Sequence, residues 1–546
     1  MKGKFYITTP IYYVNDVPHI GHAYTTVAAD ILARYNRLKG NEVFFLTGTD
    51  EHGQKVEKAA QEKGMTPKAH ADTMVENYKR TWEKLHIQND AFIRTTDPAH
   101  IKIVQALLQN LFEKGEIEKR LYSGWYCVPD ERFWTEKEVE DGRCPDCKRP
   151  VEQISEENYF FLMSGYQERI IRHIEENPSY ILPETRRNEV LGFLKNNQLG
   201  DLCISRPKQR LSWGIPLPFD HNFVTYVWFD ALLNYYSATQ YLAPEQGRNL
   251  NVQSPVPGSQ FSVLSSDYWW PPDHHLIGKD ILTTHAIYWS AMLMALGMPL
   301  PKNIFAHGWW TVEGRKMSKS FGNVVDPREV VDKFGADPFR YFLFREVPFG
   351  LDGDFSENAL IKRFNTDLAN DLGNLLSRTL SMIEKYFGGA VPEPSLHPGE
   401  TETAIPGALQ LKNQVESISA AFDLSLEKLS FGHAIDKIWD TINDANKFIE
   451  DEAPWNLWKT NNIHKLSQVI YPLAETLRII AVYLFPFMPS TAEKMWKQLN
   501  LTHDISTASL ETETRWGGLR PGTKICKGPA LFPRIETDKT PQQHCS

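Results

Sequence analysis

The sequence predicts an α/β protein: a Rossmann-like domain with a parallel sheet, interrupted by an inserted domain and followed by an all-α helical bundle. Three observations lead to this prediction. A strand–helix–strand pattern opens the chain, short pieces containing closely spaced cysteines and several prolines interrupt it between about 115 and 218, and long amphipathic helical patterns dominate from Ser356 onward. The chain has 546 residues, too many for one hydrophobic core, so several domains are expected.

The opening unit combines the two periodicities of buried strands and helices. Residues from Lys4 to Val14 are apolar or alternating, and the residues that follow Gly21 repeat apolar side chains at three- and four-residue spacing: Val27, Ile31, Tyr35 and Leu38. Gly40 closes this predicted helix, and Val43–Leu46 is typical of a second buried strand. Parallel strands of this kind bind ligands beyond their carboxyl ends.

The remaining chain divides where its pattern changes. The predicted units are the first half of the sheet domain (1–115), the inserted domain (116–218), the second half of the sheet domain (219–322), a linking region (323–355), the bundle (356–501) and a C-terminal tail that is ordered or fraying (502–546).

Composition excludes several classes of protein. A net charge of −9 with 42% hydrophobic and 23% charged residues excludes a disordered polyelectrolyte and a uniformly basic nucleic-acid coat. The apolar runs are shorter than the ~20 residues that cross a bilayer, and the N-terminus lacks a signal-peptide pattern, so a cytoplasmic location without membrane contact is expected. The six cysteines fit reduced thiols with one metal site better than a disulfide framework.

The stretch His19-Ile20-Gly21-His22 begins the first predicted helix. Both imidazoles fall in the first turn, beside unpaired backbone N–H groups and the positive end of the helix dipole, where anions bind. Gly21 lets a flat ligand approach the backbone. Alternatively, one histidine caps the helix and the other lies on the surface.

A second basic motif, Lys316-Met317-Ser318-Lys319-Ser320, lies far downstream between glycines. Two lysines on a mobile loop can close over a triphosphate and neutralise the charge that grows as pyrophosphate leaves. Alone, this segment could be a solvated basic loop, but its pairing with the two histidines is rarely produced by chance.

Together the HIGH and KMSKS motifs resemble those of the class I aminoacyl-tRNA synthetases. The resemblance implies activation of an amino acid by ATP with Mg²⁺, transfer to tRNA, and a catalytic set of His19, His22, Lys316 and Lys319. It also implies an ATP site that includes Gly21, Gly278, Asp280, His307 and Gly308. Positioning and electrostatics suffice for this chemistry, without a base or covalent intermediate.

The segments PIYYVND, GTDEHGQK, TYVWFDALLNYYSA and LIGKDILTTHAIYW resemble the methionyl-tRNA synthetase family in particular. The resemblance implies a methionine pocket made of Ile11, Tyr13, Asp50, Trp228, Ala231, Leu232, Tyr235 and His285. Aromatic and small apolar groups suit a polarizable thioether, and a carboxylate such as Asp50 can pair with the substrate ammonium. One methylene changes binding by only ~1–3 kcal/mol, so rejection of homocysteine is expected to be imperfect.

The insertion carries a knuckle-like motif with Cys127, Asp130, Cys144 and Cys147. Three thiolates and one carboxylate can hold a structural zinc, although relatives of this family also keep the knuckle without metal. The insertion is too short for the large editing domain of the related isoleucine, valine and leucine enzymes.

The bundle is the expected anticodon-binding domain. Asn374, Arg378 and Trp455 match the family's anticodon readers, since tryptophan can stack on a base while asparagine and arginine reach base edges. Without the resemblance, Trp455 would be assigned to the core. The expected partners are L-methionine, ATP and tRNA(Met), including the initiator tRNA, and a monomer is expected because no appended dimerising domain follows the bundle.

Three alternatives remain: specificity for another amino acid such as cysteine or leucine, a small-molecule adenylyltransferase that binds no RNA, and a noncatalytic tRNA-binding relative. The pocket segments disfavour another amino acid, and the long bundle disfavours an enzyme that binds no RNA. The intact pair of motifs disfavours a noncatalytic relative.

Overall fold

The computed structural model describes residues 3–15, 17–127, 132–134, 136, 139, 141–145, 147–244, 268–312, 314–317, 323–394 and 405–536. Among these, the strands in chain order are β1 (Lys4–Tyr13), β2 (Glu42–Asp50), β3 (Ala91–Arg94), β4 (Ile117–Cys127), β5 (Arg132–Trp134), β6 (Glu152–Phe161), β7 (Ile181–Leu182), β8 (Leu202–Cys203), β9 (Ser205–Pro207), β10 (Phe223–Thr225), β11 (His274–Gly278), β12 (Ile304–His307), β13 (Trp310–Val312), β14 (Arg315–Lys316) and β15 (Gly353–Phe355).

The α-helices of the same residues are α1 (Ile20–Leu38), α2 (Gln54–Glu62), α3 (Pro67–Lys84), α4 (Pro98–Glu113), α5 (Gln167–Glu176), α6 (Glu184–Asn196), α7 (Val227–Leu232), α8 (Asn234–Tyr241), α9 (Ser290–Leu296), α10 (Pro327–Phe334), α11 (Ala336–Arg345), α12 (Glu357–Arg363), α13 (Asn374–Phe387), α14 (Pro406–Glu427), α15 (Phe431–Glu452), α16 (Pro454–Lys459), α17 (Ile463–Leu484), α18 (Pro489–Gln498) and α19 (Leu510–Glu513). Wider π-helical turns form at Thr284–Trp289 and Phe364–Gly373.

A six-stranded sheet with the order β3-β2-β1-β11-β12-β7 forms the Rossmann-like domain. Every neighbouring pair in it is parallel, which confirms the predicted fold class. The chain runs outward from β1 to β2 on one side and from β11 to β12 on the other. The strand order therefore reverses between β1 and β11, and the crevice at their carboxyl ends is where such sheets bind ligands.

The edge strand β7 comes from within the predicted insertion. Ile181 and Leu182 pair with Ile304 and Phe305 of β12. The body of the insertion is a separate four-stranded sheet with the order β5-β4-β6-β8. A strand of two residues has no detectable periodicity, so the sequence pattern gives no sign of this return to the large sheet.

The C-terminal third of the chain is the predicted all-α bundle. The helix that begins with α12 continues through the wider turn into α13, and α14, α15 and α17 pack against each other. Helix α15 ends where Ala453 adopts a left-handed conformation with φ of 41°, and α16 begins at Pro454. The described part of the tail is ordered: Leu519 is fully buried, and its backbone N–H donates to the Glu475 carboxylate at 2.9 Å.

A buried ion cluster joins the sheet domain to the bundle. The guanidinium of Arg340 on α11 lies 2.7 Å from the Asp30 carboxylate on α1 and donates to the carbonyl oxygens of Pro486 and Phe487 at 2.8 and 2.9 Å. Arg340 and Asp30 are both fully buried. A charge of this kind is tolerated only with partners, so the cluster holds helix α1 in one position against the bundle.

Candidate functional site

His19 and His22 form the N-terminal cap of α1. The Nδ1 atom of His19 accepts from the Gly21 N–H at 3.1 Å, and the Nδ1 atom of His22 accepts from the His19 N–H at 3.2 Å. The two rings stack with centroids 3.7 Å apart. Both histidines therefore take part in capping, which differs from the alternative in which one caps and the other lies on the surface.

This capping geometry sets the tautomer of both rings. A neutral imidazole has one donor and one acceptor nitrogen, so a ring that accepts at Nδ1 carries its hydrogen at Nε2. Burial and the neighbouring imidazole of His19 hold the pKa of His22 well below its usual range, which keeps that ring neutral. His22 can thus offer an Nε2–H donor to an anion without adding a full positive charge.

Gly21 makes room for the His19 ring. A Cβ atom at this position would lie 3.0 Å from Cε1 and 3.1 Å from Nδ1 of His19. Any larger residue would therefore push the imidazole away from its capping position. This close contact is a structural reason for glycine in addition to the approach of a flat ligand.

The segment that follows the lysine loop meets the start of α1. The Ile20 N–H donates to the Val325 carbonyl oxygen at 3.1 Å. On the other side of the loop, Lys316 of β14 pairs with Thr311 of β13. Ser318, Lys319 and Ser320, and the side chain of Lys316, lie outside the described residues. Of the two described flanks of the loop, Val325 contacts the start of α1 and Lys316 pairs with β13.

Gly278 and Asp280 form a tight turn at the carboxyl end of β11. A Cβ atom on Gly278 would lie 2.5 Å from Oδ1 of Asp280, so this approach of the carboxylate requires glycine. The Trp309 indole N–H donates to the same oxygen at 3.1 Å. The turn places a carboxylate at the edge of the crevice, where ribose hydroxyls are bound in similar sheets.

His307 lies at the carboxyl end of β12 and contacts α1. Its Nδ1 donates to the Gly308 carbonyl oxygen at 2.7 Å, which leaves Nε2 to accept from the Thr25 hydroxyl at 2.6 Å. Burial lowers the pKa of His307. Gly308 is required for close packing, because a Cβ atom there would lie 2.3 Å from the Leu351 carbonyl. The end of β12 that carries His307 is therefore packed against α1, the helix that His19 and His22 cap.

The predicted pocket residues gather at the same end of the sheet. Tyr13 and Asp50 are paired in register at the ends of β1 and β2. Ile11 lies two residues before Tyr13 on β1. Trp228, Ala231 and Leu232 lie on α7, and Ala231 and Leu232 are buried. Asp50 is only 7% exposed, so its carboxylate is largely shielded from water.

Tyr235 and His285 form a directed pair in this pocket. The Tyr235 hydroxyl lies 2.7 Å from Nε2 of His285, whose Nδ1 donates to the Ile281 carbonyl oxygen at 2.9 Å. Burial lowers the pKa of His285 to about 4, so the ring is neutral at pH 7 and Nε2 accepts from the hydroxyl. His285 lies in the π-helical turn Thr284–Trp289, an irregularity that is frequent at functional sites.

The variant Tyr235→Phe should raise the KM for methionine in ATP–pyrophosphate exchange by about 5- to 10-fold. The variant lacks the hydroxyl that donates to Nε2 of His285, and an unsatisfied buried acceptor costs about 1–3 kcal/mol. We expect part of this cost to weaken methionine binding. Tyr180→Phe is a matched control, because it removes an equally buried hydroxyl 2.7 Å from Ser290 outside the pocket. Equal KM changes in both variants would contradict a role for the pair in the methionine site.

A buried polar network below the pocket is not among the residues predicted from the sequence. Nδ1 of His52, just after β2, lies 2.9 Å from the Asp230 carboxylate on α7. His100 contacts the Ser237 hydroxyl at 2.7 Å, and burial, with a smaller contribution from the neighbouring His52, lowers the pKa of His100 to about 3. The network ties the strand end that carries Asp50 to the pocket helix. One carboxylate within the apolar run VWFDALL is the signal that could have indicated it.

The described knuckle residues form a thiol cluster. Sulfur atoms of Cys127, Cys144 and Cys147 all lie within 4.8 Å of one another, with Cys127 and Cys144 fully buried. Tetrahedral zinc with bonds of about 2.3 Å places thiolates ~3.8 Å apart, so this cluster can hold a zinc ion. Asp130, the predicted fourth ligand, lies outside the described residues.

The predicted anticodon readers lie on the bundle, away from the crevice. Arg378 on α13 pairs with Glu450 at 2.7 Å and lies 5.9 Å from the ring centroid of Trp455. Asn374 is exposed one turn earlier on α13. Trp455 is half-buried and packs partly on the core, so it combines the core role with an accessible edge.

A sheet crevice with paired histidines, an anchored lysine loop and a helical bundle defines the class I aminoacyl-tRNA synthetases. Family profiles match accordingly: "tRNA synthetases class I (M)" over 5–155 and 148–380, and "Anticodon binding domain of methionyl tRNA ligase" over 393–544. A methionine–tRNA ligase of Caldanaerobacter subterraneus is 50% identical over 540 residues, which covers 99% of this chain and 80% of the relative.

Other relatives give the same result. The Thermotoga maritima methionine–tRNA ligase is 46% identical over 98% of this chain and 80% of its own length. A Mycobacterium tuberculosis methionyl-tRNA synthetase in complex with methionyl-adenylate superposes with a TM-score of 0.87 at 38% identity, covering 98% of this chain and 100% of that one. The chain belongs to the methionine–tRNA ligase family, a family of enzymes that join methionine to tRNA with ATP.

Proposed function

We propose that this chain activates L-methionine with ATP to methionyl-adenylate and transfers the methionyl group to tRNA(Met), releasing pyrophosphate and AMP. The observation that carries the proposal is the hydrogen bond between the Ile20 N–H and the Val325 carbonyl oxygen, because it joins the segment that follows the lysine motif to the start of the helix that carries the histidine motif. His19 and His22 donate Nε2–H groups to the phosphates. Lys316 and Lys319 stabilise charge on the α-phosphate in the transition state.

The reaction has two steps, formation of methionyl-adenylate and transfer of the methionyl group to tRNA. A carboxylate oxygen of methionine attacks the α-phosphorus while the bond to pyrophosphate breaks, and a terminal ribose hydroxyl of the tRNA then displaces AMP from the carbonyl carbon. Mg²⁺ that accompanies ATP supplies charge neutralisation on the phosphates. Gly21, Gly278, Asp280 and His307 hold the nucleoside side of ATP, and Gly308 allows the required packing.

The methionine pocket orients the substrate from both ends. Asp50 pairs with the ammonium group, and the Tyr235–His285 pair fixes the orientation of the aromatic ring that lies against the polarizable thioether sulfur. The apolar walls contact the remaining methylenes and comprise Ile11, Tyr13, Trp228, Ala231 and Leu232. Because one methylene contributes little discrimination, homocysteine enters the same pocket and is activated at a reduced rate.

The bundle binds the anticodon of tRNA(Met), including the initiator tRNA. Trp455 stacks on an unstacked base, while Asn374 and Arg378 reach base edges. Arg378 already lies near the Trp455 ring, which pre-orders the two side chains. We further infer a monomer in the cytoplasm, where tRNA is charged. A tight dimer in sedimentation velocity would contradict this inference.

The knuckle binds one structural zinc through Cys127, Cys144 and Cys147, with Asp130 as the fourth ligand. Elemental analysis of the purified chain should give about one zinc per molecule, and Cys147→Ser should lose most of it. Cys203→Ser is the control, because its thiol lies outside the cluster in the described structure. If the purified wild-type protein contains no zinc, the proposed zinc site is wrong and the knuckle is metal-free.

The experiment that tests the function is ATP–pyrophosphate exchange with methionine, leucine, isoleucine, valine and cysteine in turn, followed by tRNA-dependent release of AMP. Exchange with methionine alone and AMP release with tRNA(Met) are expected. Exchange without any tRNA-dependent step would indicate a small-molecule adenylyltransferase. Absence of exchange with every amino acid would indicate a noncatalytic tRNA-binding protein.

A further inference from the structure

A stacked aromatic pair, with one partly buried and one exposed ring, lies on the bundle beside the proposed anticodon readers. Tyr386 on α13 stacks on Trp458 of α16 with centroids 5.0 Å apart and an interplanar angle of 26°. Trp458 is 39% exposed, whereas other large aromatic side chains such as Trp439 and Trp496 are buried in the bundle. A tryptophan left in water forgoes a large favourable burial energy, so its position calls for another contact.

Tyr386 and Trp458 lie in the contact between α13 and α16, which also contains the proposed readers Arg378 and Trp455. Arg378 of α13 meets Trp455 of α16, and two turns later Tyr386 of α13 meets Trp458 of α16. The two positions on α13 are about 12 Å apart along the helix axis, roughly the length of three stacked nucleotides. One RNA loop can therefore contact both places.

Positive charges flank the aromatic pair. Lys385 places its ammonium 5.6 Å from the Tyr386 ring centroid, and Lys459 follows Trp458 in sequence. Both lysines are exposed, and neither forms an ion pair within the described ranges of the bundle. In contrast, the neighbouring Glu384 pairs with Lys527 at 3.3 Å. Aromatic rings beside unneutralised lysines suit single-stranded nucleic acid better than an apolar protein partner.

We propose that Tyr386 and Trp458 form a second stacking site, which takes an unpaired base of the tRNA anticodon loop next to the bases met by Trp455 and Arg378. Lys385 and Lys459 contact phosphates of the same loop. This inference rests on the proposed anticodon function of the bundle. Its role is affinity and not base identity, because stacking accepts any base and lysines contact only phosphates.

The test compares Trp458→Ala with wild type in binding to tRNA(Met) and to the isolated anticodon stem–loop. We expect Kd to rise about 10-fold for both RNAs, since base–aromatic stacking contributes about 1–3 kcal/mol. Trp458→Phe should retain most of the affinity. ATP–pyrophosphate exchange should be unchanged, and Leu424→Ala, which alters another exposed apolar residue of the bundle, is the surface control.

Abasic substitutions in the stem–loop identify the stacked base. One unpaired position outside the triplet should weaken binding to wild type but have no further effect on Trp458→Ala, as expected for two partners in one contact. If Trp455→Ala weakens binding and Trp458→Ala does not, the second stacking site is overturned while the anticodon function stands. If neither variant weakens binding, both proposals fail. Equal loss in Trp458→Phe and Trp458→Ala would also contradict stacking.

Discussion

Asp50→Asn should raise the KM for methionine by about two to three orders of magnitude in ATP–pyrophosphate exchange. The carboxylate is 7% exposed at the carboxyl end of β2, where little water can replace a lost partner of the substrate ammonium. Truncating one member of a buried charge pair costs about 2–5 kcal/mol. The KM for ATP should change little, because the phosphate site is formed by α1 and the lysine loop.

A control carboxylate, Asp90, lies just before β3 and contacts the first half of β2. Asp90 accepts from the Phe45 N–H at 2.7 Å, and Asp90→Asn should leave the methionine KM unchanged. A substrate analogue without the ammonium group, 4-(methylthio)butanoate, should inhibit wild type and Asp50→Asn equally. If the variant loses affinity for this analogue as well, Asp50 shapes the pocket and does not pair with the ammonium.

Lys319→Ala should lower the rate of pyrophosphate exchange by about 10²–10³-fold with little change in methionine KM. Removing one preorganised donor at a charge that develops in the transition state has this magnitude, and Lys316→Ala should behave similarly. Lys319 lies outside the described residues. Val325, which follows the loop in the chain, accepts from the Ile20 N–H next to the capping His19.

Lys333→Ala is the control for this loss of charge. Lys333 is an exposed lysine on α10 paired with Glu357, and its removal should leave the exchange rate within about 2-fold of wild type. A fall in Lys319→Ala no larger than in Lys333→Ala would show that net charge alone matters. An increase in KM without a fall in kcat would assign the lysine to ground-state binding.

The sequence patterns predict the first strand–helix–strand unit closely. The structure places β1, α1 and β2 at Lys4–Tyr13, Ile20–Leu38 and Glu42–Asp50, with Gly40 at a φ of 80° just after the helix. Each of these elements depends on local periodicity and turn chemistry, which neighbouring residues determine. The α/β class and the helical bundle followed for the same reason.

Packing explains why other features were not predicted. The return of Ile181 and Leu182 to the large sheet, the Arg340–Asp30 cluster and the His52–Asp230 network all join residues that are distant in sequence. None has a repeating pattern, because each involves only one or two side chains on each partner. Their formation depends on how the whole chain closes around the core.

The sequence by itself determined the class of fold, the family and the chemical type of each site residue, since short motifs and periodic apolar patterns are local properties. Tertiary structure decided how those residues act together: His19 and His22 as a capped pair with defined tautomers, Val325 bonded to Ile20, and Tyr386 stacked beside an exposed Trp458. The physical reason is that hydrogen-bond direction, burial and charge pairing are set by neighbours in space, which chain order does not specify.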